Sequence, residues 1–131
     1  MFRSALMSAS QANHKAILVV EDDDLLRELI VELFRSEGFE VLAAENAKQA
    51  LQQLEVVSDI RLLLTDVNMP GELDGVGLVQ LVRHRWPQIA SIVSSGRMRP
   101  RDEELPPKVR FVPKPWRVSD MLREANDLLL A

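Results

Sequence analysis

The sequence predicts one doubly wound α/β domain on a five-stranded parallel sheet, and three observations predict it. Five short apolar runs recur along the chain, "AILVV", "FEVLAA", "IRLLLT", "IASIV" and "VRFV", each bounded by charge or turn residues. Most of the stretches between them place apolar residues three and four apart, the spacing of a helix with one buried face. Strand and helix patterns therefore alternate, and parallel strands need crossover connections, right-handed in nearly all cases, that lay helices on both faces of the sheet.

The elements follow in order. "AILVV" after Lys15 is continuous apolar sequence with two valines and an isoleucine, suited to a strand buried on both faces. From Asp24 the residues Leu25, Leu26, Leu29, Ile30, Leu33 and Phe34 form a helical stripe, and Gly38 is its stop. "FEVLAAE" is a second, weaker strand. Asn46 caps a helix with Ala47, Ala50, Leu51 and Leu54 inward. "IRLLLTD" is a third strand ending in Asp66, and "NMPGELDG" supplies the Pro and Gly of a loop. "VGLVQLVRHRWP" is a helix with Val76, Val79, Leu81 and Val82 inward, ended by Pro87; "IASIVSSG" is the fourth strand. "RMRPRDEELPPK" holds three prolines and no helical apolar face, so a loop is expected, with at most a turn or two of helix around Arg101 to Leu105. "VRFVPKP" is the fifth strand, and "VSDMLREANDLLL" is a closing helix with Met121, Leu122, Ala125, Leu128 and Leu129 on one side.

Composition narrows the function. A chain of 131 residues suits one domain with its own core. Its 16 basic and 20 acidic residues leave a net charge of −4, which argues against nucleic acid or anionic lipid as a partner. With no cysteine, disulfides and thiolate chemistry are excluded, and a cytoplasmic location is expected. No apolar stretch reaches the roughly 20 residues of a membrane span. Residues 1–14 read as a flexible tail and residues 15–131 as the domain. His14 and His84 lie among polar neighbours and read as exposed; Trp86 and Trp116 read as packing or interface residues, and "RMRPR" as a solvated loop.

Open parallel sheets bind ligands beyond the carboxyl ends of their strands. Here those ends carry Glu21 and Asp22, Asp66, Ser95 and Lys114. With the first and third strands adjacent, Asp22 and Asp66 come close, and like charges about 4 Å apart repel by roughly 4 kcal/mol at an effective dielectric of 20. A divalent cation relieves that repulsion, and an all-oxygen donor set suits Mg²⁺. A metal, a lysine and a hydroxyl surrounding a trianionic group are the equipment of phosphoryl transfer, with Asp66 the candidate nucleophile. Asp23 and Asp24 read instead as the start of the helix, where negative charge favours the dipole.

Four motifs in chain order, "ILVVEDD", "LLLTDVNMPGELDG", "IVSSG" and "FVPKPW", resemble the receiver domain of two-component response regulators. The resemblance runs from about Lys15 to the end and implies a flavodoxin-like sheet of order 2-1-3-4-5. It implies that Asp66 accepts a phosphoryl group, and that Asp22, Asp66 and the backbone carbonyl of Asn68 bind Mg²⁺, with Glu21 acting through water. It further implies that Ser95 closes on the phosphoryl oxygens, that Lys114 pairs with them, that Phe111 is the switch aromatic, and that the bond before Pro115 is cis. The partners implied are a histidine kinase or phosphotransfer protein and an output protein. The rate of phosphoryl loss is expected to depend on Asn68 and Arg97.

Three departures from the family pattern stand out. "MPGELDG" carries one residue more than usual between Gly71 and Asp74. The Pro-rich stretch from Arg97 to Lys108 occupies the place of the family's fourth helix, expected short or irregular here. Phe111 stands where Tyr is commoner, which drops a hydroxyl's hydrogen bond. With no output segment after Ala131, the sequence reads as a stand-alone receiver or the receiver of a hybrid histidine kinase: a phosphorylatable switch, not a conventional enzyme. Two alternatives stay open. A haloacid-dehalogenase-like phosphatase also uses an Asp at a strand end with Mg²⁺, but has a second Asp where Asn68 stands. A receiver-like binding module would work without phosphorylation.

Overall fold

The structure is a computed structural model and describes residues 15–96, 101 and 105–130. The expected tail, residues 1–14, lies outside the described residues, as does most of the irregular stretch expected between the fourth and fifth strands.

Among the described residues nine elements follow one another: β1 Ala16–Val20, α1 Asp24–Ser36, β2 Glu40–Ala44, α2 Ala47–Val56, β3 Ile60–Asp66, α3 Gly75–Arg85, β4 Ala90–Ser95, β5 Val109–Pro113 and α4 Val118–Leu130. All strand pairs are parallel, in the order β2-β1-β3-β4-β5. This order puts β1 and β3 side by side at the centre, so that their carboxyl ends, and the residues just past them, share one edge.

Each face of the sheet carries a hydrophobic layer. Leu18, Val20, Leu63 and Val93 point to one side, where Ala47, Ala50 and Leu54 of α2 and Leu78, Val79 and Val82 of α3 cover them. Ile17, Val19, Leu62, Leu64 and Ile92 point to the other, under Ile30, Val31 and Phe34 of α1 and Met121, Ala125 and Leu128 of α4. Burial on both faces explains why β1 reads as unbroken apolar sequence: each of its five residues is buried. The helix starts are those that side chains dictate. Asp23, Asn46 and Asp74 each accept a hydrogen bond from the backbone N–H three residues on, satisfying a first-turn donor that the helix leaves unpaired.

Two helical faces differ from expectation. In α1 the inward residues are Ile30, Val31 and Phe34, whereas Leu25 and Leu29 are 68% and 60% exposed. In α3 Leu78 is buried and Leu81 is only half-buried. Both helices carry a wide apolar stripe, and periodicity alone does not say which edge of a wide stripe is left out. The other two helices bury Ala47, Ala50 and Leu54, and Met121, Ala125 and Leu128, as their spacing predicts.

Candidate functional site

Three carboxylates converge at the carboxyl edge. Glu21, Asp22 and Asp66 each offer an oxygen, and these oxygens lie within 4.8 Å of one another. The two acidic residues that follow β1 have opposite environments. Glu21 continues the strand's pairing, its N–H donating to the Ala44 carbonyl at 3.0 Å, and its side chain is buried, with 3% of the residue exposed. Asp22 is exposed. Arg27, one turn into α1, donates from Nη1 to the Glu21 carbonyl at 2.8 Å and bonds Asp24 Oδ1 at 2.6 Å, tying the helix start to the strand end. Asp23 and Asp24 therefore serve α1 rather than the pocket, as the sequence predicts.

Lys114 closes the pocket from the far side. Its own N–H donates to the Ser95 carbonyl at 3.0 Å, which anchors it beside β4, and the bond to Pro115 is cis, as the resemblance implies. Its Nζ lies 3.4 Å from Glu21 Oε1 and 3.4 Å from Asp66 Oδ2, with a quarter of the side chain in solvent. Burial pushes the Glu21 carboxyl above its usual range; the Asp23 N–H donated to Oε2 and the nearby ammonium oppose that shift, while the neighbouring acids add to it.

The loop after Asp66 is held tightly at both ends. Val67 N–H donates to the Ser94 carbonyl and Gly75 N–H to the Val67 carbonyl, each at 2.9 Å. A Cβ at Gly75 would stand 1.9 Å from the Asp66 carbonyl oxygen, so only glycine lets the start of α3 approach the third strand this closely. The extra residue expected in this loop is accommodated on the surface. Gly71 takes φ +108°, a turn conformation that suits glycine, and half-buried Leu73 packs on the core under α2 and α3. Asn68 is exposed, and its N–H points toward Asp66 Oδ1 at 3.4 Å.

Ser95 is buried at the end of β4, with 3% exposed. Phe111, half-buried on β5 and opposite Val93, packs with the α2 and α3 layer, on the sheet face away from α1 and α4. The structure thus brings Glu21, Asp22, Asp66 and Lys114 into one cluster and sets Ser95 next to it through the Lys114 backbone. His84 is exposed near the end of α3 opposite Gly75; Trp116 packs with the α1 and α4 layer, and Trp86 with the other layer, under the Arg85 guanidinium at 4.4 Å. Three contributors escaped the sequence reading. Arg27 and Gly75 act through the backbone, and the "DG" before α3 was a signal for the second. Ser94, paired in register with Asp66, stands one residue before the hydroxyl that the motif singles out.

A family model, the response regulator receiver domain, matches residues 17–126. The chain belongs to this family. Among curated proteins, the receiver is 29% identical over 121 residues to the response regulator receiver protein CpdR of Brucella abortus, covering 89% of this chain and 98% of that one. It is also 32% identical over 81 residues to a putative NtrX-like response regulator of Rickettsia felis, of which it spans only 17%. Among solved structures, the receiver domain of the hybrid histidine kinase CckA superposes with a TM-score of 0.73 at 31% identity, covering 87% of this chain and 98% of that one. A receiver protein from Sinorhizobium medicae shares the fold with a TM-score of 0.82 at 20% identity. Two-component signalling is thus the setting of this domain. No helix among the described residues is long and apolar enough to cross a membrane. Receiver domains bind Mg²⁺ at an acidic pocket, and the donors here fit that ion: three carboxylates, all oxygen, one of them exposed to keep water in the ion's shell.

Proposed function

We propose that this receiver is a phosphorylation switch in which Asp66 takes a phosphoryl group from the phosphohistidine of a histidine kinase or phosphotransfer protein. One observation carries the reading: a single ammonium, Lys114 Nζ, stands 3.4 Å from both the buried Glu21 and Asp66, with Asp22 completing the acid cluster. An Asp66 carboxylate oxygen attacks phosphorus, the P–N bond to the donor imidazole breaks, and its electron pair stays on the ring nitrogen, which takes up a proton. Little covalent chemistry is left for the protein; positioning and charge neutralisation supply the catalysis.

Each residue has a role in that account. Asp22, Asp66 and the Asn68 carbonyl would hold Mg²⁺, with Glu21 acting through water, and the ion supplies charge neutralisation at the phosphoryl oxygens. Lys114 moves its ammonium from the two carboxylates to the new phosphate, exchanging one anionic partner for another. Ser95 donates its hydroxyl to a phosphoryl oxygen, and Phe111 follows it, altering the surface beside β5 that an output protein reads. A donor protein must reach Asp66 over the rim, and the rim includes exposed Leu25 and Leu29 on α1.

The test is intact-mass spectrometry with acetyl phosphate and Mg²⁺. The receiver gains one phosphoryl group, and Asp66→Asn or EDTA abolishes the gain. An unmodified wild-type chain, or an equally modified Asp66→Asn, overturns the reading.

A further inference from the structure

Ser94 carries a hydroxyl that nothing so far employs. It is buried, with 3% exposed, and among the described residues its Oγ has no hydrogen-bond partner. Alternation along β4 sends its side chain to the α1 and α4 side with Ile92, away from Val93. The register pairs it with Asp66, and the two residues line one small cavity together with Glu21, Lys114 and Trp116. The cavity is closed below by Val19, Ile30 and Leu64 and has a volume of about 10 Å³.

We propose that this cavity is a binding site for one internal water, and that Ser94 positions Lys114 through it. The volume is that of a single water, and an internal water needs two to four polar partners. The walls offer them: the Ser94 hydroxyl, the Lys114 ammonium and the two carboxylates. Lys114 has three N–H donors and spends two of them on long contacts, 3.4 Å each to Glu21 and Asp66. The water accepts the third and donates to Ser94 Oγ, which gives that buried hydroxyl a partner. An ammonium held from below keeps some distance from the carboxylates above it. Without that restraint it settles onto Glu21 and Asp66 and competes with a cation for the same oxygens. Ser94 is thus a positioning residue for the acidic pocket, acting one water away from it.

The inference rests on the proposed Mg²⁺ pocket for its functional half only; the water site stands or falls separately. A crystal structure of the wild-type chain, at a resolution that shows ordered water, is expected to place a water within hydrogen-bond distance of Ser94 Oγ and Lys114 Nζ. Ser94→Val puts a methyl in place of the hydroxyl and takes away the water's acceptor, and Mg²⁺ binding measured by calorimetry weakens on the order of tenfold, as for an outer group that orients a ligand. Ser94→Thr keeps the hydroxyl and restores wild-type affinity, which a purely structural role would not explain. If the valine variant does not fold, Ser94→Ala tests the same loss of the hydroxyl. A dry cavity in the wild type overturns the site, and unchanged Mg²⁺ affinity in both hydroxyl-free variants overturns the positioning role. Failure of Asp66 to accept a phosphoryl group would leave the water density unchanged and so strike only at the switch.

Discussion

Replacing Lys114 by methionine removes the ammonium that bridges Glu21 and Asp66, while keeping most of the aliphatic stem. Each 3.4 Å contact is worth about 5 kcal/mol of Coulomb attraction at an effective dielectric of 20. Dehydration of the ammonium takes back much of that sum, and breaking a buried pair by deleting one partner costs about 3–5 kcal/mol. Lys114 keeps 25% of its side chain in water, which lowers the expected loss to about 2–3 kcal/mol. For a domain of this size, with an unfolding entropy of about 2.1 cal/mol/K per residue, this is a fall in Tm of about 10 °C. The assay is urea and thermal unfolding at neutral pH in EDTA and again in saturating Mg²⁺. The ion replaces the missing charge, and it binds the variant more tightly because its competitor is gone. Every tenfold tightening narrows the gap to wild type by about 1.4 kcal/mol. Acid narrows the gap as well. The folded Glu21 carboxyl titrates above the ordinary 4.5, and loss of the ammonium raises it further. The folded state then holds more protons than the unfolded one, so stability falls as pH rises from 4.5 through the raised value and returns on acidification. A gap of equal size in EDTA, in Mg²⁺ and at low pH would refute the electrostatic account and assign the loss to packing of the stem.

Gly75→Ala drives a Cβ to within 1.9 Å of the Asp66 carbonyl, a backbone atom that cannot swing aside, and is expected to destabilise by about 3 kcal/mol, the upper end of overpacking, read as a lower urea midpoint. Acetyl-phosphate labelling of Asp66 should fall with it, since the same displacement shifts the end of β3. Leu25→Glu with Leu29→Glu changes an exposed face, so stability is expected to stay within about 0.5 kcal/mol of wild type. Phosphotransfer from a protein donor slows while labelling by acetyl phosphate does not; equal slowing of both would place the defect in the site rather than in docking.

Much of this receiver was legible in order along the chain. An apolar run that must be buried on both faces is a central strand, and a carboxylate immediately after it can only lie at the sheet's edge; hence "AILVVEDD" and "IRLLLTD" located Glu21, Asp22 and Asp66 before any contact was known. The division of "EDDD" was also readable, because Asp23 sits three residues before the N–H it caps. Tertiary structure decided what depends on neighbours far apart in sequence. Glu21 is buried and Asp22 exposed because Ala44, Arg27 and Lys114 close on the first and not on the second. Which edge of α1 is left in solvent depends on what packs against the helix, which spacing does not record, and Leu25 and Leu29 are exposed despite perfect spacing. Likewise, which of two adjacent serines shares the small cavity beneath Asp66 and Lys114 is a matter of register: β4 pairs Ser94 with Asp66, and a shift of one residue would have exchanged the faces of the two hydroxyls.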